Sequence, residues 1–487
     1  MFSNPLSFSL PPKKKTILLL IILLLSSFYF LFDLGKLPLI DWDEAIYADV
    51  ASDTLTTGHF FTLTRFGEPW FEKPPLYIWL VMGSIKLFGV SEFSLRLPSA
   101  LLGIAAVVIL YLLAFELSGN ETLSFLTALI LLFSSPFYLF GRQSRMDIPV
   151  TAAILFSLLC IVKTRKNEKW LMGFGAGVGI GILFKSIIGF LAFLPAFAYS
   201  FVYHDWRWLK KKYTWIGFGI AALIIAPWHI YETAVFGRQF WNQYFITQVF
   251  NRGITDMQGM TTVDYLSSLW NFYQPWAFAV AVLIPFAIFS HKILPLIEKY
   301  RKEMLFGLLS TAFIFAFFAI ACTKMWAYLV PVYPFAAIFI SAGLYYLFES
   351  AIFSHHRIRG LLSFFITAIV LLSFMYTSRY EFVNLPRYYF PYVYDQKAIG
   401  NYLKNQADSD PVFLYKWQPN ESMEFYSGRI IKIVNSPPAP DKPEYLILAS
   451  GYLGAFFNEN PSYRQANKVY AGNYLNLLKT GNESSRK

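Results

Sequence analysis

The sequence predicts an all-α polytopic membrane domain followed by a small α/β domain outside the membrane. Three observations predict it. The chain is 56% hydrophobic and only 15% charged, with a mean hydropathy of +0.45, whereas a soluble domain is nearer about 45–50% apolar and about 25% charged. Apolar stretches of roughly bilayer length follow one another as far as residue 377. From 378 to 487 the character changes, and prolines, polar turns and short apolar runs replace the long ones.

The elements follow in order. Thr16–Phe32 comes after Pro-Pro-Lys-Lys-Lys, has bilayer length and shows no small-residue cleavage site. It reads as a signal anchor with Lys13, Lys14 and Lys15 on the cytoplasmic side. Further spans are expected at 97–115, 123–141, 148–162, 170–184, 187–203, 214–234, 273–290, 304–322, 327–347 and 360–377, about eleven in all. The run PPLYIWLVMGSIKLFG (74–89) is ambiguous, being short, opened by two prolines and charged at Lys86. If it does not span, the basic stretches at 163–169, 207–212, 292–302 and 357–359 share the side of Lys13–Lys15, as the positive-inside rule requires. If it spans, all of them fall outside. It is therefore expected to lie in the membrane surface. The domains are then 1–377, with a first outer loop at 33–96, and 378–487, with strands expected near 412–415, 430–434 and 445–450.

Charge and cysteine content exclude other classes. The net charge of +11 resides mostly in short loops between spans, where topology explains it, so nucleic acid is not an expected partner. Cys160 and Cys322 lie far apart in apolar runs and build neither a disulfide framework nor a CxxC site.

The polar residues that topology leaves unexplained gather in the outer segments. DWDEAIYAD opens the first loop, and on a short helix Asp43 and Tyr47 share a face, with Glu44 beside them. A partly desolvated carboxylate there can act as general base on a hydroxyl; an acidic run also suits the start of an interfacial helix. In RFGEPWFEKPPLYIW, Glu72 and Lys73 precede two prolines that stiffen the backbone. A lysine fixed in this way suits a phosphate, as a snorkelling one suits the membrane surface. GRQSRMDIPVT places Arg145 and Asp147 at the border of the hydrocarbon, where charge needs a partner or a function. Asp147 is the second candidate base, and an Arg145–Asp147 ion pair is the alternative. Arg252 lies in the aromatic stretch FWNQYFITQVFNRG, and Lys324 and Tyr328 lie in CTKMWAYLVPVYP. Lys73, Arg252, Lys324 and Tyr328 together would form a cationic, hydroxyl-bearing cradle for a lipid phosphate. GFGAGVGIG (173–181) sits inside an apolar span with no strand before it, so Gly173, Gly177 and Gly181 read as close helix packing.

The order DEAIYAD, FEKPPLYIW, RLPSALLG (96–103), SRMDIPVT, PWHIYE and YLVPVYP resembles the bacterial aminoarabinose-transferase and protein O-mannosyltransferase superfamily over about the first 340 residues. The resemblance implies a GT-C fold, a polyprenyl-phosphate-linked sugar donor and transfer, with inversion, to an acceptor lipid, glycan or protein. The site would face away from the cytoplasm, at a bacterial inner membrane. By motif, Asp43 matches the essential acid, Lys73 and Tyr328 match phosphate ligands, and Arg252 matches with them. Glu72 matches a residue that helps hold a divalent metal, whose second ligand is a histidine in the loop corresponding to 240–253. This chain has Thr247-Gln248-Val249 and no histidine there, so the cofactor stays open. The rival from another class is a transporter or lipid-handling protein, which would place ionisable residues in mid-span or show paired broken helices.

Overall fold

The computed structural model describes residues 12–256, 260–289, 298–349, 356–379 and 391–481. Lys292, one of the residues used to argue sidedness, lies outside them. The chain divides into two compact units. The first comprises Met1–Asp33, Phe71–Leu80 and Arg96–Ser378, and the second Leu34–Trp70, Val81–Leu95 and Arg379–Lys487.

The first unit is helical, and helices stand over each of the predicted stretches. Among the described residues, six helices are long and apolar enough to cross a membrane by themselves, and a bent pair makes a seventh. Helix length accounts for the difference from eleven. Asp147–Lys163 has 17 residues, and the apolar helices Trp276–Pro285 and Ile366–Arg379 are shorter still. Trp170–Tyr203 passes as one apolar segment of 34 residues, which as a straight helix would run about 51 Å. It is not straight. The chain leaves the Trp170–Lys185 helix at Ser186 with φ +51 and turns through Ser186–Ala192 before Phe193–Tyr203. Gly189 comes back onto the helix it has just left, so close that a Cβ there would sit 2.3 Å from the Ile182 nitrogen.

The bent pair is Glu121–Leu132 and Ser135–Gly141, at 66°. Pro136 opens the second half, and proline both lacks an N–H and crowds the preceding turn. At the break, Phe133 O accepts from Ser373 Oγ at 2.5 Å and from the Trp276 indole at 3.4 Å, as a backbone carbonyl at a break inside a membrane requires. Close glycine packing is present where the sequence placed it. A Cβ on Gly173 would come within 2.7 Å of Cys160 Sγ, and one on Gly177 within 2.2 Å of Ser157 Oγ. The tightest approach involves a fourth glycine, Gly175, whose Cβ would lie 1.9 Å from the carbonyl oxygen of Gly217 on the Lys212–Phe236 helix. Gly175→Val should therefore cost about 1–3 kcal/mol through overpacking. Its thermal midpoint in detergent should fall while that of Gly219→Ala, at a position with open space, does not.

The second unit contains the Asp43–Thr57 helix, closed by a left-handed Gly58 whose N–H returns to Thr54 O. A two-residue hairpin follows, β1 (Thr64–Arg65) and β2 (Glu68–Pro69), antiparallel across Phe66 and Gly67. Both turn residues have positive φ, +54 and +78, the geometry whose twist suits a tight hairpin. The tail forms a sheet of order β4-β3-β5-β7-β6, with β3 (Val412–Tyr415) parallel to β4 (Ile431–Val434) and β5 (Tyr445–Ala449). Strands β6 (Asn467–Ala471) and β7 (Leu475–Lys479) add to it antiparallel. The run YLILA is apolar throughout because both its faces are covered. Tyr445 and Ile447 pack with Ile399, Leu403 and Met423, while Leu446 and Leu448 pack with Phe456 and Tyr463. The first three tail strands are where the sequence placed them. The last two were not foreseen; β6 is an edge strand with little buried side chain and so carries no clear alternation.

The first outer loop, grouped by the sequence with the membrane domain, packs instead with the tail. Ser422 N donates to Asp41 Oδ1 at 2.8 Å, and Leu39 N donates to the Tyr426 hydroxyl at 2.8 Å. That hydroxyl in turn donates to Glu92 Oε1, also at 2.8 Å. Arg65 Nη2 lies 3.2 Å from Asp49 and 3.0 Å from Glu424. Periodicity reports an element and its buried face, but not which distant element will cover it.

Candidate active site

In the first unit three separate chain segments bring cations and a hydroxyl together. Phe71 is fully buried and meets Phe240 edge-on, at 5.7 Å between ring centroids, in a cluster with Trp228 and Tyr244. This anchors the Glu72-Lys73-Pro74-Pro75 segment beside the Asn242–Asn251 stretch, which is wound as a π-helix, a rare form that is frequent at functional sites. Lys73 Nζ donates to Gln248 Oε1 of that stretch at 3.0 Å. One turn on, Arg252 Nη1 donates to the Tyr328 hydroxyl at 3.0 Å. Two backbone bonds fix that meeting, Thr323 N to Arg252 O and Cys322 N to Gly253 O, each 3.0 Å.

Lys185 extends the cluster, its ammonium 5.3 Å from the centroid of the Tyr328 ring. The same ammonium makes a close ion pair with one oxygen of Asp147, while Arg145 Nε lies 3.2 Å from the other. The Arg145–Asp147 pair read from the sequence is thus present, with Lys185 as a third member. Asp147, buried between two cations, is placed to orient them. Lys324 donates to Ala321 O at 2.7 Å, next to the end of the Glu298–Ile320 helix, where a cation offsets the helix dipole.

Asp43, Glu44 and Tyr47 belong to the second unit. Asp43 is the first residue of its helix, where a carboxylate faces unpaired backbone N–H groups. It is partly exposed. Glu44 is buried and its Oε2 accepts from Ile40 N at 2.8 Å, which holds the incoming chain. Tyr47 is buried edge-on against Trp70, at 6.2 Å. Of these three, only Asp43 keeps an exposed surface for chemistry.

Nearby acids carry a pH signature. Burial pushes Asp41 up to about 7 and Asp49 up to about 8, against the pull of Arg65. Burial raises Glu424 as well, and one guanidinium serves both Asp49 and Glu424. An unfolded aspartate titrates near about 3.9. Between roughly pH 4 and pH 8 the folded form therefore holds protons that the unfolded form has released, and stability must fall as pH rises through the folded values. The thermal midpoint should decline from about pH 5 to about pH 8, and Asp49→Asn should flatten the upper part of that decline. A midpoint that climbs over this range would contradict the assignment.

The residues present do not fit a bound divalent metal. Among the described residues no three of His, Cys, Asp and Glu gather into a ligand set. Gln248, in the stretch where the resemblance implies a histidine, accepts at its amide oxygen from the Lys73 ammonium. His229 has both ring nitrogens within hydrogen-bond distance of other groups, Ile225 O at 2.9 Å and the Tyr244 hydroxyl at 3.0 Å.

Sequence reasoning missed Lys185 and Gln248 as members of this cluster. Lys185 carried a usable signal: it closes an apolar span, where a lone charge requires a partner. Gln248 carried none, because an amide in an amphipathic stretch is unremarkable until its neighbour is known.

The model of the dolichyl-phosphate-mannose-protein mannosyltransferase family matches residues 72–231, a stretch that holds Lys73, Arg145, Asp147 and Lys185. An uncharacterized protein of Aquifex aeolicus is 32% identical over 316 residues, 63% of this chain and 60% of its own length. Undecaprenyl phosphate-alpha-4-amino-4-deoxy-L-arabinose arabinosyl transferase 1 of Pseudomonas fluorescens is 26% identical over 321 residues, 62% of this chain and 55% of its own length. The chain thus spans 60% and 55% of the length of these two relatives. In fold it is similar to ArnT from Cupriavidus metallidurans, in a crystal structure bound to undecaprenyl phosphate. The TM-score is 0.69 at 17% identity, covering 96% of this chain and 98% of that one. With its apolar helices and a fold similar over nearly its whole length to that of ArnT, the chain is an integral membrane protein.

Proposed function

We propose that the protein transfers a sugar from a polyprenyl-phosphate-linked donor to an acceptor on the non-cytoplasmic face of a bacterial inner membrane. The observation that carries this reading is the cluster of Lys73, Arg252 and Tyr328, with Lys185 held beside them by Asp147. A phosphate that leaves an anomeric carbon gains negative charge, and donors fixed in advance around that charge lower the barrier. The acceptor oxygen attacks the anomeric carbon from the opposite side, the bond from carbon to phosphate oxygen breaks, and the configuration inverts. Asp43 takes the acceptor's proton. Support for the donor class comes from the arabinosyl transferase named above and from ArnT, whose crystal structure holds undecaprenyl phosphate. A transporter would share the broken helix, but at this break the Phe133 carbonyl is bonded to Ser373 and not left for a ligand.

Incubation of the purified protein with an undecaprenyl-phosphate-linked sugar tests the proposal. Release of undecaprenyl phosphate, with the sugar passed to an acceptor in a membrane extract, is the expected result. Failure to release it from any of a panel of such donors would remove the reading.

A further inference from the structure

The second unit contains a cleft of about 470 Å³ that the donor chemistry does not use. Its walls are the Asp43–Thr57 helix, the β1–β2 turn, the Val393–Lys404 helix and the Glu421–Ser427 helix. The volume is in the range of small-ligand sites. We propose that this cleft is a carbohydrate site that holds a sugar residue of the acceptor.

The lining excludes other ligand classes. Two ionised acids, Asp53 and Glu92, stand against two lysines, and Lys397 is already paired with Glu92, so the cleft has no surplus of cations for a polyanion such as a nucleotide or a second lipid phosphate. Polar groups around the rim make it a poor channel for an acyl chain. What fits is a neutral or singly ammonium-bearing ring with many hydroxyls. Phe66 and Phe425 offer ring faces for its C–H side, and Asn401, Asp53 and Ser52 offer donors and acceptors for its hydroxyls.

Two observations support a ligand rather than a mere gap between helices. The Ser52 hydroxyl is buried with no hydrogen-bond partner among the described residues, a state that folded proteins usually avoid. Phe66 has φ +54, although its side chain disfavours the left-handed region by about 1 kcal/mol or more. Gly67 N donates to Asp53 Oδ2 at 3.0 Å and so ties this turn to the cleft wall. The strain holds an aromatic ring at the cleft, where an asparagine or glycine would have served the turn alone.

The inference rests on the proposed sugar transfer, and the two can fail separately. Full-length protein, in a detergent without a sugar headgroup, is titrated with methyl glycosides of glucose, galactose, mannose and glucosamine, and saturation-transfer NMR is recorded. At least one glycoside should give a signal that falls at least about fivefold in Asn401→Trp, which fills the cleft from an exposed helix position. Phe425→Ala should weaken it as well; if that variant unfolds, Asn401→Trp carries the test alone. Binding of undecaprenyl phosphate to the wild-type protein is measured in parallel, and its loss would count against the donor reading only. No glycoside signal in the wild-type protein, or an equal signal in Asn401→Trp, overturns the carbohydrate site.

Discussion

Asp43→Asn should lower sugar transfer at least about a hundredfold while leaving donor affinity and thermal midpoint near their wild-type values. A general base contributes about 10²–10⁴-fold, and the amide keeps the shape but cannot take the proton. The comparison that gives this force is Asp147→Asn. Both oxygens of Asp147 are engaged by cations, Lys185 on one and Arg145 on the other. Its removal strands two partly buried positive charges, and breaking a buried pair costs about 3–5 kcal/mol. Asp147→Asn should therefore lose stability and donor binding together, where Asp43→Asn loses only rate. Steady-state kinetics, lipid-phosphate binding and thermal unfolding on both variants decide the matter. An Asp43→Asn enzyme at near wild-type rate, beside a folded and inactive Asp147→Asn, would exchange the two roles.

Lys73→Ala and Arg252→Ala should each weaken donor binding by about 1.5–3 kcal/mol, the worth of a charged hydrogen bond, or roughly tenfold to a hundredfold in Kd. Tyr328→Phe should cost less, about 0.5–1.5 kcal/mol, because it removes a neutral hydroxyl and leaves the ring under Lys185. Equilibrium binding of radiolabelled undecaprenyl phosphate reads all three. Wild-type affinity in Lys73→Ala would mean that this lysine serves only Gln248 and the membrane surface.

What the sequence disclosed was local. An apolar run long enough to cross a bilayer is its own evidence, and the helices stand where the runs are. The tail strands at 412–415 and 445–449 likewise announced themselves through short apolar runs between turns. Lys73, Arg252 and Tyr328 stood out as candidates because each is odd in its own surroundings: a cation against prolines, a cation among aromatics, a phenol at a membrane edge. The pairing of Arg65 with Glu424 was not legible, since neither is unusual where it stands and 359 residues separate them. Lys185 was hidden for a related reason. Its meaning lies in Asp147, 38 positions earlier, and no period connects the two.

The bonds that Arg65, Asp41 and Leu39 make with residues 422–426 set an order on the protein's biogenesis. Non-local contacts of this span form late, because the entropy of closing so long a loop must be met first. A ribosome adds about 5–20 residues per second, so some 20–70 s separate the synthesis of Arg65 from that of Glu424. Throughout that interval the Asp43 helix has left the ribosome without the helix that covers it. A nascent chain halted before residue 420 would thus already contain the whole cationic cluster of the first unit, yet its acidic loop would stay unfinished and open to proteases.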